Sequence, residues 1–199
     1  MNSSSVKRVG VLDIQYFNVG GKLYCKEVSI YSPGYTATET IAPPFSYHYI
    51  PDGARRSVRY TERGMGMCWS WGFNDWANLG YILKEMTHVF DVVYVKGREK
   101  FDYLSKFVPN LELYPQEHLH CITLHKRQPM RIECRFHLKQ LTAAKCARNN
   151  AKILYEHLLQ CSNSAEPPMD GVDEVDKDSD ERHEEDVERG LVMDVSQNW

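Results

Sequence analysis

Short apolar runs broken by Gly- and Pro-containing turns fill the first half of the chain. Val9 to Ile14 is an apolar run holding one acid, Asp13, and reads as a buried strand. Asn18-Val19-Gly20-Gly21 predicts a turn, and Leu23 to Tyr31 alternates as a second strand ended by Pro33-Gly34. Phe45 to Ile50 alternates as well and is closed by Pro51-Asp52-Gly53, so the pattern predicts it as strand three of a meander. Ala54 to Arg63 has no apolar period and reads as a polar loop. Asn74 or Asp75 can cap a helix running to about His88. Val89 to Val95 reads as another buried strand, Phe101 to Phe107 as a short helix and Asn110 to Tyr114 as an edge strand. Pro115 to Ala143 is loop-like. Thr142 can cap a last helix through about Cys161, with Ala147, Ala151, Leu154 and Leu158 on one face. The order β-β-β-α-β-α-(β)-α predicts an α/β fold, a mixed sheet flanked by helices.

Charge divides the 199 residues unequally. The net charge is −3, but the segment from Glu166 onward holds thirteen acids and three bases, a net of −10, leaving +7 for the preceding body. That asymmetry, with the tail's polar composition, sets the expected boundaries: a folded domain over 6–162 and a disordered acidic tail over 163–199. A basic body suits a polyanionic partner. Nothing in Met1 to Lys7 resembles a signal sequence, and no apolar run approaches the roughly 18 residues of a membrane span. The six cysteines are therefore expected as reduced thiols or metal ligands, in cytoplasm or nucleus.

The densest chemistry lies before the last helix. Cys134-Arg-Phe-His137 places two zinc-type ligands three apart, and Cys146 follows at the head of the helix. A second combination, Cys121 and His125 with Cys134 and His137, also has ligand spacing. Buried thiols and a hydrogen-bonded histidine would give the same letters without any metal. Earlier, Arg55, Arg56, Arg59 and Arg63 precede Trp69, Trp71 and Trp76; arginines track phosphates and aromatic rings stack unpaired bases, although tryptophans equally fill cores.

Two resemblances organise these residues. The element order is the layout of the ribonuclease H superfold, and Val11-Leu12-Asp13-Ile14-Gln15 resembles the Asp-x-Glu motif of DEDDh-type 3′–5′ exonucleases, with Gln15 in place of the Glu. Asp102, after Phe101, is similar to the second motif's Asp. Lys145 and Asn150 stand where the last motif needs His and Asp. The chain also resembles the Maelstrom domain of the piRNA pathway, a divergent member of that fold in which a Glu, a Cys-x-x-His and a further Cys hold zinc. The resemblance implies Glu27, Cys134, His137 and Cys146 as the ligands, a structural zinc, and lost hydrolytic chemistry. It further implies association with RNA or a partner protein in RNA silencing or a related viral process. The rival readings are a nuclease using Asp13 and Asp102, and a pure interaction module.

Overall fold

A computed structural model describes residues 7–115, 134–137 and 145–164. Two tight turns set the register of the first three strands. β1 (Val9–Val19) and β2 (Lys22–Ser32) meet through Gly20-Gly21, whose φ angles of 60° and 82° are those a two-residue hairpin requires. β2 and β3 (Tyr35–Ala42) meet through Pro33-Gly34. The third strand therefore directly follows the turn and does not occupy 45–50. Pro43 and Pro44 end it because they have no N–H for the ladder, and Tyr47–Tyr49 forms one 3-10 turn instead.

Residues 54–63 do not form a loop. They lie within helix α1 (Asp52–Met65), which Gly66 ends at φ 68°. Its buried side chains are Val58 and Met65, too few to show a helical period in the sequence. Asn74–Asp75 forms a two-residue strand, β4, beside β3. A 3-10 turn over Trp76–Asn78 then leads into α2 (Leu79–Thr87), so the helix begins later than its cap signal suggests. β5 (Val92–Val95), α3 (Arg98–Leu104), β6 (Leu111–Leu113) and α4 (Ala147–Ser164) complete the order.

The sheet order is β4-β3-β2-β1-β5-β6. β2 is antiparallel to both neighbours and the remaining pairs are parallel, so β2 alone runs opposite to the other five strands. One face is covered by α2 and α3, where Leu12, Ile14, Val28 and Ile30 meet Leu83, Met86 and Leu104. On the other, Val11 meets Leu154 and Leu158 of α4, and Phe17 packs with Val58 and Met65 of α1. The protein is thus an α/β fold with a six-stranded mixed sheet flanked by helices. All described residues belong to one compact unit, Met1–Glu166; the expected tail, beyond the last turn of α4, lies outside the described residues. No described helix is long and apolar enough to cross a membrane.

One irregularity decides which face Glu27 serves. Gln15 pairs with Glu27 but Tyr16 pairs with Cys25, which leaves Lys26 as the extra residue of a β-bulge. Strand periodicity of two would put Glu27 on the same face as Cys25, in the core under α2 and α3. The bulge breaks that phase. Cys25 and Val28 both enter that core, while Glu27 turns to the face covered by α4.

Candidate metal centre and basic face

Glu27 is fully buried, and its two oxygens divide their partners. Oε2 accepts the backbone N–H of Ala147 at 2.8 Å, one of the N–H groups that a helix's first turn leaves unpaired. Oε1 faces His137 Nε2 at 3.3 Å, Cys134 Sγ at 3.6 Å and Cys146 Sγ at 3.8 Å. The four ligand atoms all lie within 4.8 Å of one another. A turn closed by the His137 N–H on the Cys134 carbonyl, at 3.3 Å, brings Cys134 and His137 to the same point. His137 Nδ1 lies 2.6 Å from the Met65 carbonyl, which can only accept. Nδ1 therefore carries a proton, and it is Nε2 that faces the cluster and can offer its lone pair once the ring is neutral.

These separations suit a tetrahedral ion. Zinc bonds of about 2.0 Å to N and O give a tetrahedral edge of about 3.3 Å, and a bond of about 2.3 Å to S lengthens it to about 3.5 Å. The Glu27–His137 and Glu27–Cys134 separations, 3.3 and 3.6 Å, match those edges. Charge leads the same way. A buried carboxylate beside two thiols needs a cation. Burial pushes the Glu27 carboxyl up. The Cys146 thiol donates toward Cys134 and holds its pKa down at about 4, while Cys146 itself is pushed up by that same contact and by burial. Burial alone would lower His137, but Cys134 and Glu27 outweigh it and push it up to about 10. Without an ion, the imidazolium is the counter-charge. A divalent ion would displace that proton and the remaining thiol proton on Cys146, and the four protein ligands would then close its coordination.

The exonuclease-like positions gather only in part. Asp13 is 1 % exposed and accepts from Asn150 Nδ2 at 2.7 Å and Gln15 Nε2 at 3.4 Å. Its other oxygen is ion-paired to Lys100 of α3, a residue the sequence did not single out. Asp102 is not part of this group. Residues two apart on a helix point roughly 200° apart, and Asp102 instead pairs with Arg98 at 3.0 Å beside an open cavity lined by Tyr24, Trp76 and Tyr103. Lys145 is exposed and lies over Gly64 of α1. Where two-metal hydrolysis needs a second carboxylate, α3 supplies an ammonium.

Arg55, Arg56, Arg59 and Arg63 recur at helical spacing on α1 and, with Asp52 and Tyr60, line one shallow cavity of about 570 Å³. Arg55 is anchored by Asp52 at 2.7 Å and by the carbonyls of Ile50 and His48; Arg59 donates to the Tyr47 hydroxyl at 3.0 Å. Of the tryptophans, Trp69 is core, 1 % exposed, and donates Nε1–H to the Phe45 carbonyl. Trp71 and Trp76 are half-buried. Cys121 and His125, the second ligand combination, lie outside the described residues. No protein family, curated protein or solved structure matches the chain.

Proposed function

We propose that this chain is a ribonuclease H-like, exonuclease-derived domain that no longer hydrolyses, is held together by a structural zinc, and binds single-stranded RNA along α1. The arginine face of α1 carries the binding reading: four guanidinium groups share one open cavity, and Arg56 and Arg63 have no ion pair among the described residues. Guanidinium rows of this kind bind phosphates through paired N–H donors. The fold assignment is supported by the strand order and by β2 running against the other strands. Zinc is supported by the gathering of Glu27, Cys134, His137 and Cys146 within 4.8 Å and by the Glu27–His137 and Glu27–Cys134 separations. The ion would tie three points far apart in sequence, the β2 bulge, the 134–137 turn and the start of α4, and so serve the fold. A role in RNA silencing or a related viral process is part of this proposal and rests on the resemblance of Glu27, Cys134, His137 and Cys146 to the Maelstrom ligand set.

The purified chain should carry about one equivalent of zinc, and Cys134→Ser should lose it together with several kcal/mol of folding free energy. Single-stranded RNA should bind at low salt and dissociate as salt rises. A well-folded, metal-free wild type removes the zinc, and absence of RNA binding at low salt removes the RNA reading.

A further inference from the structure

The turn that supplies Cys134 and His137 also carries exposed Arg135 and buried Phe136, which packs in one apolar cluster with Cys134 and Cys146 while one edge lines the surface. Phe136 meets Trp71 at 6.1 Å and Phe73 at 5.9 Å between ring centroids, and Trp71 and Phe73 meet at 5.2 Å. Arg135 lies over the Phe136 ring at 4.9 Å. Together with Glu39 and Asn74 these four line a hollow of about 390 Å³. A smaller hollow of about 190 Å³, bounded by Gly66, Met67 and Cys68, adjoins the Trp71–Phe136 pair. Phe73 is 71 % exposed, and its free face is turned to the hollow among the described residues.

The platform is rigid. A Cβ at Gly72 would sit 2.2 Å from the Ala42 nitrogen, so the Trp71–Phe73 backbone lies directly against β3. The Phe73 N–H bonds the Thr40 carbonyl at 3.2 Å. The hollow's surroundings are tied to the C-terminal end of the helix that carries the basic face. The last turn of α1, which carries Arg63, holds the Trp69 N–H through Glu62 at 2.6 Å and the His137 ring through the Met65 carbonyl. Glu39 and Asn74 put acceptor oxygens at the rim, and Arg135 puts donors there. Such a rim suits the edge of a heterocycle more than a phosphate.

We propose that this aromatic hollow receives one unpaired base of a single-stranded nucleic acid whose phosphates run along the arginine face of α1. It rests on the RNA-binding reading above. Stacked rings bind any base by its π-face, and a guanidinium adds a cation–π contact. The nearby metal ligands would hold Phe136 in place, since it stands between two of them.

The test compares the full chain's affinity, at low salt, for an eight-nucleotide single-stranded RNA and for an abasic oligomer with the same number of phosphates. One stacked base should favour the RNA by about tenfold, or about 1.4 kcal/mol. Phe136→Leu, which retains apolar volume, and Trp71→Leu should each shrink that ratio toward one while leaving affinity for the abasic oligomer unchanged. Tryptophan emission should be quenched by the RNA and not by the abasic chain, and that quenching should be lost in Trp71→Leu. Equal affinity of wild type for both oligomers overturns the base site yet leaves the arginine face standing, and would assign the hollow to an apolar side chain of a protein partner. Binding of neither overturns the RNA reading and the base site with it.

Discussion

Two lysines near the sheet's centre show how single charges decide what this fold can do. Lys100 neutralises buried Asp13, while Asn150 and Gln15 complete the carboxylate's hydrogen bonds. Removing one partner of a buried pair leaves an uncompensated charge, so Lys100→Met should cost about 3–5 kcal/mol. Asp13→Asn in the same chain should restore most of that loss, because Asn retains the shape and brings no charge. Denaturant melts of the two single variants and the double variant measure the coupling; additive losses would refute the pairing. Lys26, the bulge residue, is 1 % exposed, and its ammonium reaches the Trp69 carbonyl at 2.9 Å and the Ile41 carbonyl at 3.4 Å. Burial lowers its pKa from 10.5 to about 8. The unfolded chain therefore holds more protons than the native one between pH 8 and 10.5, and there stability should rise with pH. Below pH 8 the full cost of burying the charge remains. Lys26→Met should lack this rise, so the stability gap between variant and wild type, followed by melts across that range, should shift in favour of wild type as pH increases. A constant gap would mean that Lys26 titrates normally.

Elements explain which parts of the fold and site were legible. The Gly20-Gly21 and Pro33-Gly34 turns are written in their letters, and so are the thiols and histidine of the site, because ligand spacing is local. Glu27 entered only through resemblance: the bulge that turns it toward α4 leaves no mark in a run of strand-forming residues. Phe45 to Ile50 mimicked a strand by alternation, whereas Tyr35 to Ala42 won that place by following a two-residue turn. α1 was hidden because one side is nearly all polar, and Lys100 because a helix was expected to start at Phe101, past it. Folding the arginines onto a helix sharpens what they should do. Arg56→Ala with Arg63→Ala should weaken RNA binding and flatten the log K against log salt slope by about 1.4, or about 0.7 per phosphate contact. Helical content should be unchanged, since neither residue is buried in α1. An unaltered slope would move the RNA surface elsewhere.

At the scale of the whole molecule, the Glu27–Cys134–His137–Cys146 cluster and the Asp13 group lie on the same face of one sheet, and both are closed by the first turns of α4. Glu27 accepts the Ala147 backbone N–H, and Asp13 accepts from Asn150 Nδ2. A two-metal nuclease needs anionic ligands that bridge two ions about 3.5–4 Å apart and leave positions open for substrate. Here Asp13 is buried against an ammonium, Gln15 and Asn150 are neutral, and Asp102 is turned to Arg98. A divalent ion at Asp13 would have to displace Lys100 and would find a single carboxylate, a poor site for magnesium. The full chain incubated with magnesium or manganese and a 3′-labelled single-stranded RNA should therefore leave the label on full-length product, while the same RNA remains bound in a parallel binding assay. Digestion from the 3′ end that disappears in Asp13→Asn would reverse this conclusion, because that residue is the one acid in the group. Digestion that survives Asp13→Asn would place hydrolysis outside the Asp13 group altogether. An ion held by Glu27, Cys134, His137 and Cys146 would have four protein ligands and no open position, and would be equally unsuited to activating water. The two buried acids on this face, Glu27 and Asp13, are both engaged by the start of α4, which is why the assay is expected to show binding and no cleavage.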